Sequence, residues 1–325
     1  MTGYKVVITD YYYPNLDEER KVFKASGIEI VDCKGKCKSE EDVIKYTRNA
    51  DAIITQFVPI TKKVIDNLVQ CKIIVRYAIG LDNIDIAEAT RKKIMVANVP
   101  DYCIEEVSNQ ALTLMLVILR KLTIADREVR KGNWSYQNTK PLYRLSKMNL
   151  GIIAFGRIAR EFAKKADILG FKNIFIYDPY FKDIKKYPNY KFTSLNYLLE
   201  NSDVISIHAP ATKDTKHLIN KNTIRLMKKG VCLINTSRSD LINETDLIDA
   251  LKEQKFSGVG LDVLSREEIM VDHPILGFDN VVLTPHMGWY SVDSIKELQK
   301  KVAEQVKKGL ILKNPDYCVN REVLD

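Results

Sequence analysis

The sequence lacks any apolar segment long enough to cross a membrane. Its longest apolar run, residues 111–119, is interrupted by Thr113 and falls well short of the roughly 18 residues that a spanning helix needs. The stretch 1–5 has neither the basic start nor the long apolar core of a signal peptide, and Asp10 soon interrupts the first apolar run. We therefore expect a soluble cytoplasmic protein with no membrane partner.

The sequence also lacks paired metal ligands. It has six cysteines, at positions 33, 37, 71, 103, 232 and 318, and only four histidines. Cys33 and Cys37 have a spacing that a metal site can use, but no second Cys or His pair accompanies them. We predict no bound metal and, for an intracellular chain, reduced cysteines.

Length and composition favour a globular protein of two domains. The 325 residues are about twice the usual size of one domain. The 46% hydrophobic and 28% charged residues lie near the globular average, which excludes a disordered or collagen-like chain. The net charge of +8 favours anionic ligands. Because the charges are spread along the chain, we expect no nucleic-acid partner.

Short β-branched runs alternate with amphipathic segments, which indicates parallel βαβ units. The pattern predicts an α/β fold with two doubly wound parallel sheets. Residues 104–130 are predicted as one long apolar helix, either deeply buried or an oligomer interface. The last helix, about 291–311, belongs to neither series and is expected to pack back on the first domain. The predicted strands are 5–9, 28–31, 52–55, 72–76 and 95–97, followed by 150–153, 174–177, 204–207, 232–235, 259–262 and 281–283.

Residues 151–161 open the second series with a degenerate dinucleotide-binding fingerprint. The order strand, turn, helix offers free N–H groups and the positive end of a helix to a pyrophosphate. Gly156, which lets the backbone approach the phosphates, is retained, and Ala159 is an accepted variant at the helix-packing position. Ala154 places a methyl group at the tight turn, so we expect a weakened site.

Asp178 follows the next predicted strand, about 20 residues beyond Gly156. In this position its carboxylate can accept hydrogen bonds from the ribose diol of an adenosine. Its charge disfavours a 2′-phosphate, so NAD is the predicted cofactor rather than NADP. The alternative is a turn aspartate that precedes Pro179.

Three polar residues, Arg238, Glu267 and His286, follow the last three predicted strands. The carboxyl ends of parallel strands meet at one edge, so we expect the three side chains to converge. They suit the reduction of a 2-oxo acid: Arg238 holds the carboxylate and polarises the carbonyl, while His286 donates the proton. Glu267 hydrogen-bonds the other ring nitrogen and favours the imidazolium. The alternative is that Arg238 and Glu267 are surface ion-pair residues and His286 caps a loop.

Several motifs resemble the D-isomer-specific 2-hydroxyacid dehydrogenase family. They include the Asn-Thr-Ser-Arg run that ends at Arg238, a Glu five residues beyond Asp262, and the Thr-Pro-His run that ends at His286. The resemblance covers nearly the whole chain, and it is closest to the branch related to the C-terminal binding protein corepressors. The matching segments are 76–85, 98–107, 235–238, 260–263, 267, 284–286 and, for the branch, 98–106 and 285–291.

The resemblance implies a flavodoxin-like substrate-binding domain, formed by residues 1–101 and 294–325. It also implies a Rossmann NAD-binding domain over 102–293, a cleft between the two domains, and a homodimer through the long helix. Arg238, Glu267 and His286 would be the catalytic residues.

The resemblance also assigns binding residues. Backbone N–H groups near Ile79 and Gly80 would bind the substrate carboxylate together with Arg238, and Asp262 would bind the carboxamide of the nicotinamide. Independently of the resemblance, we expect Trp289 and Tyr102 to line the substrate pocket; the alternative is that each only packs against its neighbours. The implied cofactor contacts are Cys103, Gly156, Arg157, Ile158, Asp178, His208, Ala209, Pro210, Thr215, Thr236, Ser237, Arg238, Asp262, His286 and Gly288.

The chain departs from the family pattern at three places besides Ala154. Ser239 and Asp240 stand where the family has Gly-Gly, and Glu268 replaces the usual proline. We expect a stiffer Arg238 loop, an added negative charge near an anion site, and reduced cofactor affinity.

The main hypothesis is an NAD-dependent D-2-hydroxyacid dehydrogenase that acts as a 2-oxoacid reductase. The alternative is an NAD(H)-sensing, corepressor-like binding protein with little turnover, although such a scaffold has no need of an acid–base pair. Formate dehydrogenases place Gln at position 267, whereas phosphite oxidation is harder to exclude. The identity of the 2-hydroxy acid stays open.

Overall fold

The structure, a computed structural model, describes residues 3–24, 26–266 and 271–324. The chain divides into two compact units. The terminal unit comprises Met1–Cys103 and Tyr290–Asp325, and the central unit comprises Ile104–Trp289. Both ends of the chain therefore belong to the same unit.

The terminal unit is built on a five-stranded parallel sheet. Its elements are β1 (Lys5–Ile8), α1 (Asp17–Lys24), β2 (Glu29–Asp32), α2 (Glu40–Thr47), β3 (Ala52–Thr55), α3 (Lys62–Asp66), β4 (Ile73–Arg76), α4 (Ile86–Arg91), β5 (Met95–Ala97) and α11 (Val292–Ile311). The strand order β2-β1-β3-β4-β5 is the flavodoxin-like order. Helix α11 packs against α1 and β4, which confirms that the last helix returns to the first domain.

Burial on both faces explains why these strands read as continuous apolar runs. Val6, Val7 and Ile8 are fully buried, and their β-branched side chains suit a pleated sheet. The helices begin at sequence-encoded caps. The Ser39 hydroxyl accepts the N–H of Asp42, whose carboxylate accepts the N–H of Ser39, and this capping box starts α2.

The central unit is built on a seven-stranded parallel sheet. Its elements are α5 (Ile104–Leu119), α6 (Leu122–Arg130), β6 (Asn149–Ile153), α7 (Arg157–Ile168), β7 (Asn173–Tyr177), β8 (Lys191–Phe192), α8 (Leu195–Asn201), β9 (Val204–Ile207), α9 (Lys221–Leu226), β10 (Val231–Asn235), α10 (Glu244–Lys252), β11 (Phe256–Leu261) and β12 (Val281–Leu283). The strand order is β12-β11-β10-β9-β6-β7-β8, which changes direction between β9 and β6, the switch point where such sheets bind ligands. The two sheets confirm the predicted fold class.

The prediction of one continuous helix over 104–130 was wrong. Two helices, α5 and α6, meet at a bend of 59°, and Lys121 between them has φ 49°, which ends the regular hydrogen-bond ladder. Six residues of α5 are buried and none of α6 is. The apolar face of α5 therefore packs in the core of its unit, and the chain turns where that face ends.

Two glycines in β11 allow α5 to lie close to the sheet. A Cβ on Gly258 would lie 2.9 Å from Cβ of Ile118, and one on Gly260 would lie 3.1 Å from Cβ of Leu114. Any side chain at Gly258 would force the helix away. The close approach explains why this strand contains glycine, which otherwise weakens strands.

Strand β8 was not predicted from the sequence; it has only two residues and lies at the edge of the sheet. Among the described residues no single helix is both long and apolar enough to span a membrane. Helices α5 and α6 meet that criterion of length and composition only when the bent pair is counted together.

Candidate active site

The carboxyl ends of the strands in the central unit carry most of the predicted site residues. β12, β11 and β10 are neighbours at one end of the sheet, and β9, β6 and β7 follow in that order. Adjacent loops thus hold the described catalytic candidates, and the dinucleotide loop lies further along the same edge. In sheet order, one residue of each loop is His286, Asp262, Arg238, His208, Gly156 and Asp178.

The loop after β6 presents a bare helix end. Gly156 is the N-cap of α7, and no side chain caps this terminus. The space around the Gly156 Cα is open, so the N–H groups of Arg157 and Ile158 at the start of α7 are accessible to an anion. Ala154 has φ 68°, a left-handed conformation that disfavours side chains.

Aromatic side chains and Asp178 hold this loop in place. Phe155 is fully buried, and its N–H donates to Oδ2 of Asp178 at 2.8 Å. Four aromatic rings surround Phe155 edge-on at centroid distances of 5.0 to 5.8 Å. They belong to Phe181, Tyr187, Tyr190 and Phe192.

Asp178 also organises its own turn. Its Oδ1 accepts the N–H groups of Tyr180 and Phe181 at 2.9 and 3.1 Å, in addition to the bond from Phe155. The proposed alternative, a turn aspartate, thus describes part of its role. A carboxylate has about four acceptor sites, so one remains for a ribose hydroxyl, and that role stays a prediction.

Two buried polar atoms at the ends of β9 and β10 have no hydrogen-bond partner among the described residues: Nδ1 of His208 and Oγ1 of Thr236. Burial lowers the pKa of His208 to about 3, so its ring is neutral. Its Nε2 is hydrogen-bonded to Oγ of Ser206 at 2.9 Å. Unpartnered buried groups are costly, and a dinucleotide along this edge offers them partners. Together with the open Gly156 loop, they fit NAD.

The loop after β10 is folded by Asn235, which is fully buried. Its Nδ2 donates to the carbonyl of Arg238 at 2.8 Å, and its Oδ1 accepts the N–H of Ser237 at 2.9 Å. Ser239 and Asp240 lie in a 3-10 turn, and neither has a positive φ. The replacement of Gly-Gly is therefore accommodated without backbone strain.

Asp262 organises the loop that carries His286. Its Oδ1 accepts the Thr284 hydroxyl at 2.5 Å, and its Oδ2 accepts the N–H of Gly288 at 2.8 Å. The Asp262 carbonyl accepts the N–H of His286 at 2.9 Å. A Cβ on Gly288 would lie 2.8 Å from Oδ2 of Asp262, so this position requires glycine. Asp262 is only 2% exposed and supports the loop.

The predicted catalytic Glu267 lies outside the described residues, as does Glu268. The described chain runs to Arg266 and resumes at Val271. The predicted pairing of Glu267 with His286 therefore stays a prediction.

In the terminal unit, the predicted carboxylate-binding stretch follows β4. Asn98, at the end of β5, donates from Nδ2 to the carbonyl of Ile79 at 2.6 Å. The N–H of Val99 donates to the carbonyl of Ala78. Both carbonyls are thus occupied, whereas the N–H groups of Ile79 and Gly80 have no acceptor in the described part of the chain. Sequence reasoning did not identify the role of Asn98.

The remaining predicted residues are placed as follows. Thr215 donates its hydroxyl to the carbonyl of Pro210 at 2.6 Å, next to buried Ala209. The Ser237 hydroxyl donates to the carbonyl of Ile207 at 2.9 Å. Cys103 is the last residue of the amino-terminal segment of the terminal unit, and Trp289 is the last residue of the central unit.

Ala154→Gly is expected to raise the free energy of unfolding by about 1 kcal/mol, because glycine adopts the left-handed conformation without the Cβ penalty. We expect NADH to bind about 3-fold more tightly once the turn is relaxed. Thermal denaturation and calorimetric titration measure both changes. Ala159→Gly, inside α7, is the matched control and should destabilise the protein. NADH binding in neither the parent nor Ala154→Gly would contradict the dinucleotide site.

Comparison with known proteins gives consistent matches. A family model described as the D-isomer specific 2-hydroxyacid dehydrogenase, NAD binding domain, matches residues 112–288. A glyoxylate reductase of Thermofilum pendens is 35% identical over 294 residues, which cover 88% of this chain and 86% of the relative. A hydroxypyruvate reductase of Blautia hydrogenotrophica is 35% identical over 300 residues, which cover 90% and 93%.

A solved structure is similar over nearly the whole chain. The D-lactate dehydrogenase of Aquifex aeolicus, complexed with NAD and lactic acid, superimposes with a TM-score of 0.85 at 28% identity, over 97% of this chain and 99% of that one. The chain therefore belongs to the D-isomer specific 2-hydroxyacid dehydrogenase family and is an NAD-dependent oxidoreductase that acts on 2-hydroxy acids.

Proposed function

We propose that the protein reduces a short 2-oxo acid to its D-2-hydroxy acid, with Arg238, Glu267 and His286 as the catalytic residues. The observation that carries the proposal is the order of the loops. The strands that lead to these three residues are adjacent in the sheet, and the bare helix end at Gly156 lies further along the same edge.

The residues have distinct roles in this proposal. When bound, NADH would supply the hydride that the carbonyl carbon accepts. The guanidinium of Arg238 binds the substrate carboxylate and stabilises the charge that develops on the carbonyl oxygen. His286 donates a proton to that oxygen, so C=O becomes CH–OH, and Glu267 hydrogen-bonds the imidazole and favours its charged form. In the oxidative direction neutral His286 accepts the proton.

The N–H groups of Ile79 and Gly80 provide a further site for the substrate carboxylate. Support comes from their lack of an acceptor and from Asn98, which holds the carbonyl of Ile79. N–H groups held in this way are preorganised for an anion. We propose that the terminal unit binds the substrate and that the central unit binds NAD.

The cofactor would lie along the loops after β6, β7, β9, β10, β11 and β12. Asp178 would bind the ribose, and the open start of α7 would bind the pyrophosphate. Asp262 would bind the nicotinamide carboxamide, for which its carboxylate keeps an acceptor site beyond its loop bonds. Trp289 would line the substrate pocket.

The relatives' names support a short substrate, because they are named for glyoxylate and hydroxypyruvate. The test is NADH oxidation with a panel of 2-oxo acids that runs from glyoxylate and pyruvate through hydroxypyruvate to bulky aromatic acids. We expect kcat/KM to be at least about 10⁴ M⁻¹s⁻¹ for a short acid and lowest for aromatic acids. Tight NADH binding without turnover on any acid would instead favour the corepressor-like binding protein.

We also propose a homodimer. Helix α6 and the segment that follows expose large apolar side chains, which a second copy of the chain would cover. Light scattering tests this, and we expect a particle mass twice that of one chain. The exposed side chains are Leu122, Val129, Trp134, Tyr136 and Tyr143.

Cytoplasmic location and the resemblance to the corepressor branch stay predictions.

A further inference from the structure

Helix α5 presents one row of side chains to β11, and the row ends in a glutamine. Ile118 packs against Gly258, and Leu114 packs against Gly260. Gln110 is the next residue of this row, one helical turn before Leu114. Four residues of a helix and two residues of a strand both span about 6 Å. Gln110 therefore lies at the carboxyl end of β11.

The Gln110 side chain contacts the loop after β12 on both sides of His286. Its Nε2 donates to the hydroxyl of Thr284 at 2.9 Å. A Cβ on Gly288 would lie 3.3 Å from Cγ of Gln110, so the stem of the glutamine packs against the loop beyond the histidine. One side chain of α5 thus supports the loop both before and after His286.

The Thr284 hydroxyl connects Gln110 to Asp262. It donates to Oδ1 of Asp262 at 2.5 Å, and a carboxylate only accepts hydrogen bonds, so the hydroxyl oxygen is left to accept from Gln110. The same Oδ1 accepts the N–H of Met287 at 3.1 Å, and the Asp262 carbonyl accepts the N–H of His286 at 2.9 Å. A continuous chain of hydrogen bonds therefore leads from Gln110 to the backbone at His286.

His286 depends on such contacts because its backbone is strained. Its φ of 49° lies in the left-handed region, which is uncommon for residues other than glycine. A strained conformation persists only where the surrounding structure determines it from several sides. Asp262 supplies contacts of this kind, and its carboxylate is itself held by Thr284. A break in this chain of hydrogen bonds should therefore shift the imidazole.

We propose that Gln110 is a positioning residue that acts through Thr284 and Asp262 to hold His286 in the orientation that proton transfer requires. This inference rests on the proposed function, because it takes His286 as the proton donor. A displacement of about 1 Å at a catalytic group costs roughly 100-fold in rate. A partial loss of the support should therefore lower kcat and leave the binding of substrate and NADH nearly unchanged.

A double-mutant cycle between positions 110 and 284 tests the proposal. We expect Q110A to lower kcat about 10-fold and T284V, which removes the hydroxyl, about 100-fold. T284S keeps the hydroxyl and should retain at least about half of the parent kcat. In the T284V background Q110A should lower kcat by less than about 2-fold, because the group that connects Gln110 to Asp262 is absent.

The measurement separates positioning from a loss of folded protein. The kcat value is expressed per NADH-binding site, and calorimetric titration counts these sites. KM for glyoxylate and the dissociation constant of NADH should change by less than about 3-fold in Q110A. Q110M keeps the length of the side chain and loses the donor, so it completes the cycle where Q110A does not fold.

N109A is the matched control. It removes an amide from the adjacent position of α5, where Asn109 accepts Nζ of Lys165 at 2.7 Å, and it should keep the parent kcat. Equal losses from Q110A in the parent and T284V backgrounds, or the parent kcat in Q110A, would overturn the positioning role. An H286N enzyme with the parent kcat would instead overturn the proposed function.

Discussion

His286→Asn is expected to lower kcat by about 10³-fold and to leave the NADH dissociation constant within about 2-fold of the parent. The imidazolium is the proposed proton donor, and asparagine has no proton to give. Asparagine is preferred to alanine because His286 has φ 49°, a conformation that asparagine tolerates. NADH oxidation and calorimetric titration measure the two quantities.

The matched control is His217→Asn. His217 lies in the same unit, is exposed, and has nearly the same left-handed backbone, with φ 52°. It should keep the parent kcat, so a loss confined to His286→Asn is a loss of chemistry. Residual activity of a tenth or more in either His286→Asn or His286→Ala would remove the proton-donor assignment.

Most strands of the two sheets could be predicted because they are buried on both faces and therefore form apolar runs in the sequence. Three of the four residues in Ala52–Thr55 are β-branched, and polar residues bound the run on both sides, so its limits can be read from the sequence. β8 was not predicted because two edge residues form no period, and its Phe192 packs only in the folded chain, against the rings of Phe155 and Phe181. The break at Lys121 was missed because only two residues separate α5 from α6, and neither is glycine or proline, the usual signals of a helix end.

Candidate site residues could be proposed from the sequence where a residue type with a clear chemical role follows a predicted strand. The charge of Arg238 and the glycine at 156 are such signals. The supporting groups were not predictable, because each acts through a contact that depends on the fold. Asn235 holds the Arg238 loop, Asn98 holds the Ile79 carbonyl, and Asp262 holds the His286 loop. An amide or carboxylate at these positions reads as an ordinary loop residue.

Arg238→Lys is expected to lower kcat/KM by about 10²- to 10³-fold, although the positive charge is kept. A guanidinium offers two parallel N–H groups to a carboxylate, whereas lysine offers a single point charge. The substitution removes the bond from Nη1 of Arg238 to the carbonyl of Ser237, but it keeps the bond at 2.8 Å by which Asn235 holds the Arg238 carbonyl. Arg238→Ala should lose about 10-fold more, with a higher KM. Steady-state kinetics with the preferred 2-oxo acid measure both.

Chemical rescue distinguishes paired hydrogen bonding to the substrate carboxylate from a purely electrostatic effect of the positive charge. In Arg238→Ala, free guanidinium at a concentration that does not denature the protein should restore about 10-fold of kcat/KM, and ammonium at equal ionic strength should restore none, because only the planar cation reproduces the fork. Arg225→Ala, an exposed arginine on α9, should retain the parent kinetics. If Arg238→Lys keeps more than a third of the parent kcat/KM, Arg238 is a surface ion-pair residue, and the N–H groups of Ile79 and Gly80 bind the carboxylate without it.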